Sequence, residues 1–287
     1  MNEFDPSVLK DLYTPLSSSH KGQNGKLLII GGSKLFHAAS LWVLTVASKI
    51  VDIVFYSSIP ENNEIVLTLK KEFRNGIIVS RNKMESYIEE TDCILIGPGL
   101  PRESGMEEGD EDTKELTEKL FKKYPNKKWV VDGGSLQTIN PEALLGLKTI
   151  PILTPHQREF ETLKSKIQNS EFRIKIQNLE LTEQASEFAK EYNCVILLKG
   201  EEDIVASPTE SVKISGGNAG MTKGGTGDVL AGLVAALYCK NDAFLSACAA
   251  SFINKKAGDN LFGKVGYYFN ASDLADEIPK VMKNIVL

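Results

Sequence analysis

The chain has no apolar run long enough to cross a bilayer. Its longest runs reach about ten residues, half of what a spanning helix requires. It lacks an excess of positive charge: the net charge is −5 over 287 residues and no dense Lys/Arg cluster occurs, which disfavours a general nucleic-acid binder. Its four cysteines, Cys93, Cys194, Cys239 and Cys248, form no Cys-x-x-Cys pair and are expected to be reduced core residues of a cytosolic protein. The three histidines, His20, His37 and His156, have no metal-ligand spacing, which argues against a zinc site. Met1–Asp5 has neither a basic n-region nor an apolar h-region, so a cytoplasmic protein without a signal peptide is expected. Two phosphate fingerprints are missing as well. Gly31-Gly32-Ser33-Lys34 does not meet the Walker spacing, and no G-x-G-x-x-G follows the first apolar strand. A P-loop NTPase is thereby rejected, and a standard dinucleotide-binding Rossmann unit is unsupported.

What remains is an ordinary globular composition, 42% hydrophobic and 25% charged. No internal repeat or linker divides it, and a single domain over 1–287 is expected. Asp5-Pro6 reads as the capped start of a short helix reaching Tyr13. Strands are expected at 26–30, 52–56, 93–96, 129–132, 149–153 and 194–198, with a hairpin pair at 203–206 and 211–214. Helices are expected at 37–50, 113–124 and around 184–192, then near 227–240, 242–258 and 271–283. Residues 102–111 read as an acidic, mobile surface loop. Short apolar strands alternating with helices predict an α/β fold with a mostly parallel central sheet and helices on both faces.

Polar or glycine-rich segments follow Ile30, Ile96, Asp132, Leu153 and Leu198. In an open α/β sheet the ligand crevice lies outside such strand ends, so these loops are placed to converge on one site. The strongest single signal lies further on. Six glycines fall between Gly216 and Gly227, followed at once by Asp228 and an apolar helical run. A helix starting at Gly225–Gly227 aims free N–H groups and its positive dipole end at an anion, most simply a phosphate. Asp228 can stabilise the helix start or act as a general base beside that phosphate.

Other motifs are ambiguous one by one. Thr154-Pro155-His156 opens a helix with Thr154 as expected cap, and His156 and Glu159 share one face, suited to hold substrate and a metal–water shell; plain capping, with His156 packed on the sheet, is the alternative. Lys199 can meet a phosphate while Gly200 permits close backbone approach. Asp132 can hold Mg²⁺ through water, bind a substrate hydroxyl, or merely cap a following turn. Gly97-Pro98-Gly99 admits close approach of a ligand or is a mere turn.

Taken in order, these stretches resemble the ADP/ATP-dependent NAD(P)H-hydrate dehydratase family, a branch of the ribokinase-like superfamily. The resemblance rests on His20-Lys21-Gly22 with Gly31-Gly32-Ser33, Gly97-Pro98-Gly99-Leu100, Thr154 to Phe160, Lys199 to Asp203, and Asn218-Ala219-Gly220-Met221 ahead of Gly224-Gly225-Thr226-Gly227-Asp228. It implies a ribokinase-like fold and a repair reaction in which ADP or ATP, with Mg²⁺, drives loss of water from hydrated NADH or NADPH. By position it makes Asp228 the catalytic base. It assigns Lys199, Gly200, Glu201, Glu202, Asp203, Asn218, Gly225, Thr226 and Gly227 to the nucleotide, Ala38, Gly99, Asp132 and His156 to the substrate, and Glu159 to the vicinity of Mg²⁺. It also implies a homo-oligomer, such as a tetramer, working with a separate NAD(P)H-hydrate epimerase.

The chain departs from the family pattern on one side. His37 stands where a glycine is usual, Pro101 replaces the third glycine of Gly-Pro-Gly-Leu-Gly, Gly134 replaces the second acid of Asp-Ala-Asp, and Lys223 replaces a small or hydroxyl residue. Two further functions are therefore weighed: a ribokinase-like kinase of another small alcohol or vitamin precursor, and a nucleotide-binding regulator without catalysis.

Overall fold

A computed structural model describes residues 2–102 and 112–286. Most of the expected acidic loop, including Glu107, Glu108 and Asp110, lies outside the described residues.

Among the described residues the strands are β1 (Asn2–Glu3), β2 (Lys26–Ile30), β3 (Ile53–Ser57), β4 (Ile77–Ile78), β5 (Cys93–Ile96), β6 (Lys128–Val131), β7 (Ile152–Leu153), β8 (Val195–Leu198), β9 (Asp203–Ala206) and β10 (Ser211–Ile214). The helices are α1 (Ala38–Ala47), α2 (Pro60–Leu69), α3 (Glu85–Ile88), α4 (Thr113–Lys123), α5 (Gly133–Thr138), α6 (Gln157–Ser165), α7 (Ser170–Gln177), α8 (Leu181–Glu191), α9 (Thr226–Tyr238), α10 (Ala243–Val265) and α11 (Ala271–Val286).

The strands form one sheet in the order β1-β10-β9-β8-β7-β6-β5-β2-β3-β4. Only the β8/β9 and β9/β10 pairings are antiparallel. The expected mostly parallel α/β sheet is therefore present. The alternation of side chains along each strand explains why the central strands β2, β5 and β8 are apolar almost throughout. Leu27 and Ile29 enter one core with α1, α9, α10 and α11, while Leu28 and Ile30 enter the other with α4, α6 and α8. Each fully buried Leu or Ile stabilises the fold by roughly 1.5–3 kcal/mol. Helix α9 is apolar almost all round because it packs between α1 and α10, with Val229 to Tyr238 all buried. The four cysteines are buried and unpaired with one another.

Several boundaries differ from expectation for identifiable reasons. The strand expected at 149–153 shrinks to Ile152–Leu153, because Pro151 has no N–H to give a ladder. The N-terminal helix is a 3₁₀ turn over Pro6–Asp11, capped by Asp5 onto the Ser7 N–H at 2.9 Å. The cap of α6 is His156, not Thr154: its Nδ1 accepts from the Glu159 N–H at 3.2 Å, and Glu159 Oε2 accepts from the His156 N–H at 2.9 Å. Helices α2, α3 and α7 and the edge strands β1 and β4 lie outside the expected elements.

The strand order fixes where a ligand goes. From β2 the chain proceeds outward to β3 and β4. From β5 it proceeds the opposite way through β6, β7 and β8. The crevice at this reversal lies beyond the C-terminal ends of β2 and β5. There the Gly31–Gly32 and Gly97–Gly99 loops meet, with the Gly32 N–H donating to the Pro98 carbonyl at 2.8 Å.

Candidate active site

Two cavities open along the C-terminal edge of the sheet. One, about 580 Å³, lies over the reversal point and is lined by Phe36, His37, Ala38, Trp42, Gly99, Arg102, Asp132, His156, Glu159 and Asp228 among others. The other, about 480 Å³, lies beside α10 and is lined by Gly200, Glu201, Asp203, Gly217, Asn218, Thr226, Leu230, Asn254 and Lys255 among others. Lys199 and Gly227 line both, so the two lobes share a wall.

Lys199 follows β8 and is largely buried. Its Nζ donates to Asp132 Oδ1 at 3.1 Å and lies 3.8 Å from Glu159 Oε2. Burial opposes its charge, but Asp132, Glu159 and Asp228 outweigh that and hold its pKa above the ordinary lysine value. Asp132 sits at the tip of β6 without capping α5: it makes no cap hydrogen bond and accepts instead from Thr154 Oγ1 at 2.7 Å. Glu159 is 6% exposed, with Gln137 Nε2 on Oε1 at 3.1 Å. Capping and site-building therefore coincide at α6. The His156 ring is exposed, not packed on the sheet; its Nδ1 is the acceptor for the Glu159 N–H, which places the proton of the neutral ring on Nε2.

Asp228 lies in the first turn of α9 and faces the larger lobe. Burial comes first in raising its pKa, with Asp132 and Glu159 adding and Lys199 and Arg102 opposing, and it is pushed up to about 7. That value suits a group that must take and release a proton near neutrality.

The turn before α9 needs its glycine. Gly225 has φ +94°, and a Cβ there would lie 2.4 Å from the Trp42 ring. The Thr226 hydroxyl turns back to the Met221 and Lys223 carbonyls at 2.6 and 2.8 Å, and its N–H is directed at the Lys223 carbonyl at 3.3 Å. Lys223 itself reaches the Tyr267 and Phe269 carbonyls, tying this turn to the α10–α11 connection.

In the smaller lobe, Asp203 accepts from the Gly200 N–H at 2.9 Å and from Ser251 Oγ at 2.7 Å. Lys255 lies 3.4 Å from Asp203 and donates to the carbonyls of Gly200, Glu201 and Gly216. Asn218 caps the turn after it through the Gly220 N–H, and its Nδ2 donates to the Gly258 carbonyl at 2.9 Å. Of the residues singled out from sequence, Ala38, Gly99, Asp132, His156, Glu159 and Asp228 meet in the larger lobe. Gly200, Glu201, Asp203, Asn218 and Thr226 meet in the smaller one, and Gly225 joins the larger. Glu202 stands apart, turned to Lys213 and Ser215 on the hairpin.

Four contributors were missed: Arg102, whose guanidinium lies 5.4 Å from the Phe36 ring centre, Gln137, Asn254 and Lys255. None stands in a motif, and only the fold brings them to the crevice. Close approach at Gly97 serves backbone packing: a Cβ there would lie 1.8 Å from the Asp132 carbonyl oxygen.

The sequence profile described as NAD(P)H-hydrate dehydratase matches residues 27–280. A bifunctional NAD(P)H-hydrate repair enzyme of Methanocaldococcus jannaschii is 37% identical over 283 residues, covering 96% of this chain and 51% of that protein. The chain thus spans about half the length of that relative. An ADP-dependent (S)-NAD(P)H-hydrate dehydratase of Nitrosopumilus maritimus is 32% identical over 292 residues, covering 96% of this chain and 94% of that one. Among solved structures, a ribokinase-like superfamily protein of Enterococcus faecalis superposes with a TM-score of 0.80 at 21% identity, covering 99% and 96% of the two chains. The fold is ribokinase-like.

Proposed function

The chain belongs to the NAD(P)H-hydrate dehydratase family, and from that premise we propose that it restores NADH and NADPH from their hydrates in a reaction driven by ADP or ATP. The observation that carries this reading is the wall shared by the two lobes. A nucleotide in the smaller lobe and a hydrate in the larger one meet at Lys199 and Gly227, directly beside Asp228.

The hydrate carries a hydroxyl on a ring carbon next to the ring nitrogen, and hydroxide is a poor leaving group. Asp228 takes the hydroxyl proton as that oxygen attacks the terminal phosphoryl. The new O–P bond forms while the bond to the departing nucleotide breaks. The C–O bond then breaks and phosphate leaves with its electron pair, pushed by the nitrogen lone pair. Loss of a proton from the adjacent ring carbon restores the ring double bond. The net change is hydrate plus ATP to NAD(P)H, ADP, phosphate and a proton, with ADP giving AMP in the same way.

Lys199, held charged by its carboxylates, lies where it steadies the moving phosphoryl. The N–H groups of Gly225 and Gly227 serve the same charge, whereas that of Thr226 already faces the Lys223 carbonyl. Lys199, Gly200, Glu201, Asp203 and Asn218 form the nucleotide cradle, and Ala38, Gly99, Asp132 and His156 face the hydrate.

Mg²⁺ is usually held by one or two carboxylates together with substrate phosphates and water. No group of three His, Cys, Asp or Glu side chains among the described residues is placed to hold a metal ion. Glu159 and Asp132, already gathered around a cation, fit the more open arrangement and would hold Mg²⁺ through its waters. When bound, the ion neutralises charge on the transferred phosphoryl.

We further propose a single-domain cytoplasmic homo-oligomer acting beside an NAD(P)H-hydrate epimerase. The name of the bifunctional relative supports a second repair activity nearby, and the buried free thiols accord with a reducing compartment. Neither the kinase of another small alcohol nor the regulator without catalysis gains support from the family match. The test is to incubate purified chain with hydrated NADH, Mg²⁺ and either ADP or ATP, following near-ultraviolet absorbance of restored NADH. No signal with either nucleotide, from folded protein, would overturn the reading.

A further inference from the structure

We infer that His37 is the base that takes the ring-carbon proton in the last step of the proposed dehydration, an inference that rests on the larger lobe being the hydrate site. Departure of phosphate leaves a positive charge shared with the ring nitrogen. The double bond returns only when the neighbouring carbon gives up a proton, and that proton needs an acceptor.

The tautomer of His37 is fixed by the residue behind it. Asn62 lies on α2 and is 1% exposed. Its Nδ2 donates to the Ser33 carbonyl at 3.2 Å and to Ser58 Oγ at 3.1 Å. A carbonyl only accepts, so the amide nitrogen faces Ser33 and Oδ1 faces away. Close packing holds this pose: a Cβ on Gly32 would lie 2.3 Å from Asn62 Nδ2. Oδ1 then meets His37 Nδ1 at 2.5 Å. An amide oxygen likewise only accepts, so Nδ1 carries the proton and the neutral ring keeps its lone pair on Nε2. Among the described residues Nε2 has no hydrogen-bond partner, and the residue is exposed and lines the larger lobe.

The other ionisable groups around that lobe are unsuited. Asp228 already holds the hydroxyl proton at this stage. Asp132 and Glu159 face Lys199 and accept from Thr154 and Gln137 respectively. His156 has the opposite tautomer: its Nδ1 is taken by the Glu159 N–H, so it offers a donor at Nε2. Lys199 is held charged and Arg102 is a cation, and neither has a lone pair to give. His37 Nε2 remains. It takes the proton, the C–H electron pair becomes the ring double bond, and the charge on the ring nitrogen is discharged. The imidazolium then returns its proton to water, an exchange imidazole performs readily near neutrality.

The test is the ratio of nucleotide consumed to NADH restored. When the proton is not removed, water adds back to the charged ring and regenerates the hydrate, so nucleotide is consumed without product. The wild-type chain is expected to consume one nucleotide per NADH. In His37→Ala and His37→Gln, NADH formation is expected to fall about tenfold or more, with hydrate-dependent nucleotide consumption falling less, so that the ratio rises by about twofold or more. Added imidazole is expected to bring the ratio of His37→Ala back toward the wild-type value. The ring is exposed, so both variants are expected to keep the wild-type Tm and nucleotide affinity. His37→Gln retains a donor for Asn62 but offers no base. Wild-type rate and ratio in that variant overturn the inference alone, as does a slower variant whose ratio stays at the wild-type value. A wild-type chain that restores no NADH overturns it together with the dehydratase reading.

Discussion

Lys199 Nζ lies 3.1 Å from Asp132 Oδ1, joining the end of β8 to the tip of β6 beneath the point where the two lobes meet. One cation thus holds two otherwise repelling carboxylates, Asp132 and Glu159, and depresses the charge penalty on a third, Asp228. Replacing it removes the partner from two buried acids. Lys199→Met is expected to destabilise the fold by about 3 kcal/mol, the scale for breaking a largely buried pair from one side. The urea midpoint of the variant against the wild-type chain at pH 8 checks this.

Asp228→Asn separates binding from chemistry. Turnover of hydrated NADH is expected to fall about 10²–10⁴-fold, the usual share of a positioned base. Nucleotide affinity measured by calorimetry should change by no more than a few fold. A variant that turns over normally would reduce Asp228 to a helix-start acid.

The raised pKa of Asp228 has two consequences of opposite sign. As a base it must be ionised, so kcat/KM should rise about tenfold per pH unit up to about pH 7 and level off above it. For stability the sign reverses. The folded chain holds this proton up to about pH 7, while the unfolded chain releases it near 3.8. Stability from this group is therefore full below the unfolded value and is lost as pH rises through the folded one. Asp228→Asn should raise Tm at pH 8 by a few degrees and leave it nearly unchanged at pH 4, as read by calorimetric scans at both values.

Gly225→Ala places a Cβ at positive φ and against the Trp42 ring. Both turnover and Tm are expected to fall, the strain alone costing about 1–3 kcal/mol. Adding Trp42→Ala should recover part of the stability by removing the clash, while the backbone strain stays. A double-mutant cycle on Tm measures that coupling.

The sheet was legible because its central strands are buried on both faces. Leu27 to Ile30 feed two cores in alternation, so the segment reads as one unbroken apolar run bounded by glycine. The turn before α9 was legible because glycines report backbone geometry directly, as φ +94° at Gly225 shows. Capping was misread at α6: threonine is the commoner cap, whereas here the His156 ring takes that place and leaves the Thr154 hydroxyl for Asp132. Asn254, Lys255 and Arg102 were not legible. An asparagine or lysine on a long helix carries no local signal of what it faces, and its meaning comes from strand order and helix packing. Strand β1 was equally hidden, since two residues have no period and its partner β10 is over 200 residues away.

The shared wall also constrains how the two ligands sense each other. A molecule bound in either lobe rests on Lys199 and Gly227 and so alters the field and the space met by the other. Their affinities are therefore thermodynamically coupled, and the coupling is reciprocal. Under the proposed assignment of the two lobes, by whatever factor nucleotide tightens or loosens the grip on the hydrate, the hydrate must change the grip on nucleotide by the same factor.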